Sequence, residues 1–128
     1  MPRDLTVGTE LSFERTFDHE DVLAFLRISR DAGVHHAEPG ADGRRVVHGL
    51  LTATIPTKLG GDLNYLAREM HFEFVRAVYT GDAITCRARI DEIDERPDRL
   101  RLAMTGTCTN QHGEDVLKFA TRGVIRRS

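Results

Sequence analysis

The stretch VVHGLLTATIPTKLGG, residues 46–61, carries the decision about the fold. Between His48 and Leu59 it is apolar nearly all round, which predicts a buried helix rather than one lying on the surface. Gly60-Gly61 is expected to end it. Pro56 predicts a kink or a shortening near residue 55, because proline lacks an N–H and clashes with the turn before it.

A helix with no polar face must be wrapped by something, and the flanking sequence supplies the wrapper. Downstream, EMHFEFV (69–75) alternates, with Met70, Phe72 and Phe74 on one side. After the Gly81-Asp82 turn signal, Ile84, Cys86, Ala88 and Ile90 share a face. ERPDR (95–99) and NQHGED (110–115) read as turns. Between them Leu100, Leu102, Met104 and Cys108 alternate, and VLKFATRGVI (116–125) is the last strand. Upstream, GTELSFERTF (8–17) predicts a first strand.

FDHEDVLAFLRIS (17–29) predicts a helix over 18–29. Asp18 is the N-cap with Asp21 three residues on, and Phe17 is placed to pack on Val22 as a hydrophobic staple. Gly33 is expected to permit the turn after it. The order is strand, helix, buried helix, then four long strands. That order implies an α+β layer architecture, a curved antiparallel sheet around a helix. A single sheet of this length leaves an edge strand, which makes sheet-to-sheet dimerisation expected.

With 128 residues the chain is read as one domain over 1–128. Net charge is −2, from 18 basic and 20 acidic residues, and no basic helix or aromatic-plus-basic stripe occurs. No nucleic-acid partner is therefore expected. Two cysteines in apolar-alternating segments make neither a disulfide framework nor a zinc site. The first residues hold no apolar run suited to a signal peptide, and no stretch reaches the roughly 20 apolar residues of a membrane span. The expected location is cytoplasmic, with no membrane partner.

The chemistry-bearing candidate is SRDAGVHH (29–36), a carboxylate just before two imidazoles. Taken alone, Asp31 reads as a polar turn residue, since Asp is common there. Nothing in the spacing alone separates His35 from His36.

A resemblance separates them. RTFDHEDVLAFLRISRD, His36, VVHGLL, LNYLAREMHFEFVRAVYTGDAIT and TNQHGEDVLKFATRGVI occur in that order. In these segments the chain resembles the MaoC-like, R-specific enoyl-CoA hydratase/3-hydroxyacyl dehydratase family, which has the hot-dog fold. The family's loop reads serine-glycine-aspartate, any residue, asparagine-proline, any residue, histidine. Asp31 takes the aspartate position and His36 the histidine position, five residues apart. Gly33-Val34 stands where the family has asparagine-proline. The family's histidine-glycine before the central helix maps onto His48-Gly49.

The resemblance implies reversible hydration of trans-2-enoyl thioesters, or dehydration of (R)-3-hydroxyacyl thioesters. Asp31 and His36 would divide the acid and base roles around one water. The Gly49 amide, at the start of the buried helix, would hold the thioester oxyanion. His48 would fix the start of that helix beside the substrate. Arg44 and Arg45 are candidates for coenzyme A phosphates, and Asn64 and Tyr65 for the acyl tunnel. The substrate would be an acyl-CoA or an acyl group on acyl carrier protein, and the protein a homodimer without metal or redox cofactor. Related hot-dog thioesterases and dehydratases of fatty-acid synthesis carry a carboxylate on the central helix, whereas residues 48–59 contain no Asp or Glu. Two other readings stay open: an acyl-CoA thioesterase, and a non-catalytic acyl-thioester-binding subunit.

Overall fold

The computed structural model describes residues 4–127. The elements run β1 (Glu10–Thr16), α1 (His19–Ser29), α2 (Val34–Ala37), α3 (Gly49–Thr52), α4 (Thr54–Asp62), β2 (Tyr65–Phe74), β3 (Ala83–Arg96), β4 (Arg99–Thr109) and β5 (Asp115–Arg126). The five strands form one antiparallel sheet in the order β1-β3-β4-β5-β2. This is the expected hot-dog architecture. The alternating residues Ile84, Cys86, Ala88 and Ile90 of β3 and Leu102, Met104 and Cys108 of β4 form one buried cluster with Leu51, Ile55 and Leu59 of the helical segment.

Helix α1 begins as its sequence predicts. The Asp21 N–H donates to Asp18 Oδ1 at 2.9 Å, and the Asp18 N–H donates to Asp21 Oδ2 at 3.0 Å. This reciprocal pair satisfies two donors that a helix start leaves free. Phe17 and Val22 are both buried, as the staple requires. The end of α1 differs from expectation. Arg30 takes the left-handed conformation at φ 64° and donates its N–H to Leu26 O. Gly33 has φ −50°, so it does not supply that turn. A four-residue helix, α2, then carries His36, where the sequence predicts only loop.

The central helix is two pieces. The break falls at Ala53 rather than at residue 55, and Pro56 sits in the first turn of α4. The reason is steric: a proline ring conflicts with the carbonyl four residues earlier, here Thr52, so the helix opens there. Gly60-Gly61 does not end it either. Helix α4 continues to Asp62, and Asn64 at φ 56° makes the turn into β2. Nor is the helical segment buried all round, since Leu50, Thr57 and Lys58 are exposed.

Strand β2 starts four residues before the alternating pattern suggests. A bulge between Ala67 and Glu69 leaves Arg68 unpaired with β5 and interrupts the alternation, which hides the first half of the strand. β2 is an edge strand, and it exposes Leu66, Met70 and Phe74, each about half accessible. Leu50 of α3 is also exposed.

Cys86 and Cys108 face each other across β3 and β4 as free, buried thiols. The hydrogen bond with Cys86, together with burial, pushes the Cys108 thiol far up, which makes it an inert packing group. Among the described residues no helix is long and apolar enough to cross a membrane.

Candidate active site

The loop between α1 and α2 positions Asp31. Its N–H donates to Ser29 Oγ at 3.0 Å, and its Oδ1 accepts the Gly33 N–H at 3.2 Å. The second bond is an Asx turn, the local closure that short polar side chains favour. The other carboxylate oxygen, Oδ2, lies 3.8 Å from His36 Nε2. The spacing of five between Asp31 and His36 is therefore realised as proximity, across the turn from loop to α2.

His36 is 5% exposed, whereas the adjacent His35 is exposed. The structure so selects between the two imidazoles. His36 Nδ1 lies 2.6 Å from the carbonyl of Val46. A carbonyl only accepts, so Nδ1 carries a proton and Nε2 is the nitrogen that faces Asp31. At 3.8 Å Nε2 and Oδ2 lie beyond direct hydrogen-bond distance and too close for a water in line between them, so a water bonded to both must sit to one side of the pair.

His48 lies behind this pair. Its Nε2 donates to the backbone carbonyl of Asp31 at 2.9 Å, and its ring stacks on His36 with centroids 3.7 Å apart and planes 17° from parallel. His48 is 2% exposed, and its Nδ1 is buried without a partner. Candidate ligand atoms of Asp31, His36 and His48 lie within 4.8 Å of one another. Stacked rings nevertheless suit a metal poorly. Each lone pair lies in its own ring plane, so one ion at the usual distance of about 2.0–2.1 Å cannot meet both unless the rings part.

Gly49 follows directly as the first residue of α3, where helix N–H groups lack an intrahelical partner. The Phe74 ring of β2 lies against it, and a Cβ at Gly49 would come 2.9 Å from Phe74 Cε1. The next aromatic on β2, Phe72, is 6.2 Å from Phe74. Phe72 lines an apolar cavity of about 80 Å³ under α4, together with Leu59, Tyr65, Met104 and Phe119. Tyr65 hydroxyl and Thr121 Oγ1 bond at 3.0 Å in its wall. A larger hollow of about 490 Å³ lies on the opposite face of the sheet, lined by Arg68, Arg101, Arg122, Glu92 and Asp94. It is open, and like the smaller cavity its lining contains neither Asp31 nor His36.

The Asp31–His36 pair thus lies against His48, and the next residue, Gly49, opens α3 with its N–H outside the helix ladder, while the small apolar cavity lies farther along the helical segment, under α4. The sequence profile of the FAS1-like dehydratase domain region matches residues 20–119. The chain belongs to the FAS1-like dehydratase-region family. No curated protein matches the sequence. Among solved structures, this FAS1-like dehydratase chain is similar to the (R)-hydratase from A. caviae involved in PHA biosynthesis. The TM-score is 0.82 at 24% identity, covering 94% of this chain and 97% of that one. It is similar also to the R-hydratase PhaJ1 from Pseudomonas aeruginosa, with TM-score 0.80 and 19% identity over 97% of this chain and 87% of that one. The MaoC-like dehydratase from Rhodospirillum rubrum gives 0.77 and 20% over 97% and 94%. These likenesses establish the hot-dog fold.

Other residues expected at the site of this FAS1-like dehydratase chain are placed elsewhere. The Arg44 Nε bonds Asp42 Oδ2 at 2.7 Å, and its guanidinium covers the Tyr79 ring at 4.3 Å. Arg45 points its guanidinium at His19 Nδ1, 2.7 Å away, and at the Ala37 carbonyl. Both arginines thus have protein partners in the single chain, and Arg44 remains exposed. Asn64 is exposed in the α4–β2 turn and is absent from the cavity lining; its left-handed φ explains its place there. Tyr65 does line the cavity. Thr121 and Phe74 are cavity and site neighbours that the sequence reading passed over. Only the β2–β5 pairing brings Thr121 to Tyr65, so no local signal existed for it.

Proposed function

We propose that this protein adds water reversibly to trans-2-enoyl thioesters and, in reverse, dehydrates (R)-3-hydroxyacyl thioesters. One observation carries the reading. A buried imidazole, His36, has its Nδ1 proton committed to a backbone carbonyl and its Nε2 turned to a carboxylate 3.8 Å away. In the hydration direction, a water held between Asp31 and His36 gives up a proton as it attacks C3, and the pair returns a proton to C2. The Gly49 N–H donates to the thioester oxygen as negative charge builds there. The acyl chain runs past Phe74 and Phe72 into the cavity under α4. No step needs a metal or a redox cofactor. The R configuration rests on the resemblance to the R-specific family.

The thioester is carried by coenzyme A or by acyl carrier protein, and the working form is a homodimer joined through the exposed edge of β2. A second reading is an acyl-thioester-binding subunit without activity of its own. The Asp31 side chain, 57% exposed in the single chain, favours it, since an open carboxylate holds a reacting water less well.

The test is loss of the enoyl-thioester absorbance of crotonyl-CoA, measured for the wild type and for Asp31→Asn. We expect loss with the wild type and a rate lowered about 10²–10⁴-fold in the variant, the range for removing a general acid or base. Absorbance unchanged in both, with longer enoyl chains also tried, leaves the binding-subunit reading. Release of free thiol from saturated acyl-CoA would instead mark a thioesterase.

A further inference from the structure

We propose that His48 is a positioning residue that holds the Asp31–His36 pair at its working distance. This rests on the hydratase reading above. Three groups of the site meet at this one side chain. Its Nε2–H holds the backbone carbonyl of Asp31 at 2.9 Å. Its ring face lies on His36 at 3.7 Å. Its own peptide leads into Gly49, whose amide opens α3. Phe25 of α1 packs on the same imidazole at 4.9 Å, so the ring is clamped between α1 and α2.

The Asp31 loop has little else to hold it. Its remaining bonds reach only two residues in either direction, to Ser29 and Gly33, and these shape the turn without anchoring it to the fold. His36 is anchored by Val46, ten residues further on. The bond from His48 to the Asp31 carbonyl, across 17 residues, is therefore the long-range tie of the carboxylate's backbone to the frame that holds His36. Remove it and the 3.8 Å gap is no longer set by the fold.

Packing alone does not call for a histidine here. The Nδ1 atom is buried with no partner, and an orphaned polar atom costs stability that a phenylalanine or leucine would not cost. What an apolar residue cannot do is donate to the Asp31 carbonyl while stacking on an imidazole. A displacement of about 1 Å in an acid–base pair can cost about 10² in rate.

The experiment compares wild type, His48→Phe and His48→Gln with crotonyl-CoA, each checked for folding by its thermal transition. His48→Phe keeps a ring against His36 and loses the donor. His48→Gln loses the stack and keeps an N–H. We expect kcat to fall roughly tenfold to a hundredfold in His48→Phe, with KM within about twofold, and partial recovery in His48→Gln. A folded His48→Phe with wild-type kcat overturns the inference. So does a fall of kcat in both variants to the same extent with a raised KM, which is the mark of a loosened pocket. Should His48→Phe fail to fold, His48→Leu takes its place: a kcat lowered about tenfold or more at unchanged KM, with partial recovery in His48→Gln, supports the role, and a folded His48→Leu with wild-type kcat overturns it. A wild type inactive on every enoyl thioester overturns the hydratase reading itself and this inference with it; an active wild type with an indifferent His48 overturns only the latter.

Discussion

At the scale of single residues, the site turns on groups whose partners fix what they can do. Val46 takes the Nδ1 of His36, which leaves Nε2 as the nitrogen that the proposed reaction would use. The Gly49 amide can be tested at the same scale. His48 has φ −55° and ψ 139°, a conformation that a following proline accepts, and proline suits the first position of a helix. Gly49→Pro therefore removes the N–H with the backbone kept, and Gly49→Ala controls for the new Cβ against Phe74. We expect kcat for Gly49→Pro to lie about 10²–10³ below that of Gly49→Ala in the enoyl-CoA assay. Equal rates would remove the amide from the mechanism. Asp31 and His36 were legible in the sequence through their spacing in a resembling loop. The resemblance chose His36 over His35, and in the fold His36 is buried while His35 is exposed. The partners that Arg44 and Arg45 take in the single chain, Asp42 and the Ala37 carbonyl, were not legible, because a basic pair before a helix looks the same in sequence whatever it meets.

At the scale of elements, the helix starts were readable and the helix ends were not. The capping box of α1 is a three-residue spacing, and local geometry converts it directly into two hydrogen bonds. Acceptance of the Asp21 N–H holds the Asp18 carboxyl below its ordinary value of 3.8. The group is lowered in the folded state, so its contribution is complete above that ordinary value and is lost as pH falls through the lowered one. Asp18→Ala should thus reduce the thermal midpoint at neutral pH, and the gap from wild type should shrink in a melting series as the pH falls below the ordinary carboxylate value and through the lowered one. A gap that persists in acid would show that the cap does not act through its charge. The helix ends went the other way, because Arg30 and Asn64 accept the left-handed conformation where nearby glycines were expected to. The demand came from where the chain had to go next.

At the scale of the molecule, one edge of the sheet is unfinished. Leu66, Met70 and Phe74 on β2 stand half exposed, with Leu50 of α3 also bare, and Phe74 of this strand also touches Gly49. Covering such an edge with a second copy would bury the strip and screen the Asp31 side of the site from water. Met70→Glu should therefore give a slower-assembling or monomeric protein by sedimentation, with hydratase activity lost in step. A monomeric wild type of full activity would exclude the homodimer.

Fold class was present in the chain as pattern: one helix without a polar face, preceded by a capped helix and followed by alternating strands, admits few packings. The proposed acid–base pair was present as spacing within a resembling loop. Distances were not. That Asp31 and His36 stand 3.8 Å apart, that His48 ties one to the other, and that Thr121 meets Tyr65 all depend on contacts between residues far apart in sequence. Such contacts arise only when the sheet closes around the broken helix, and no local propensity encodes them.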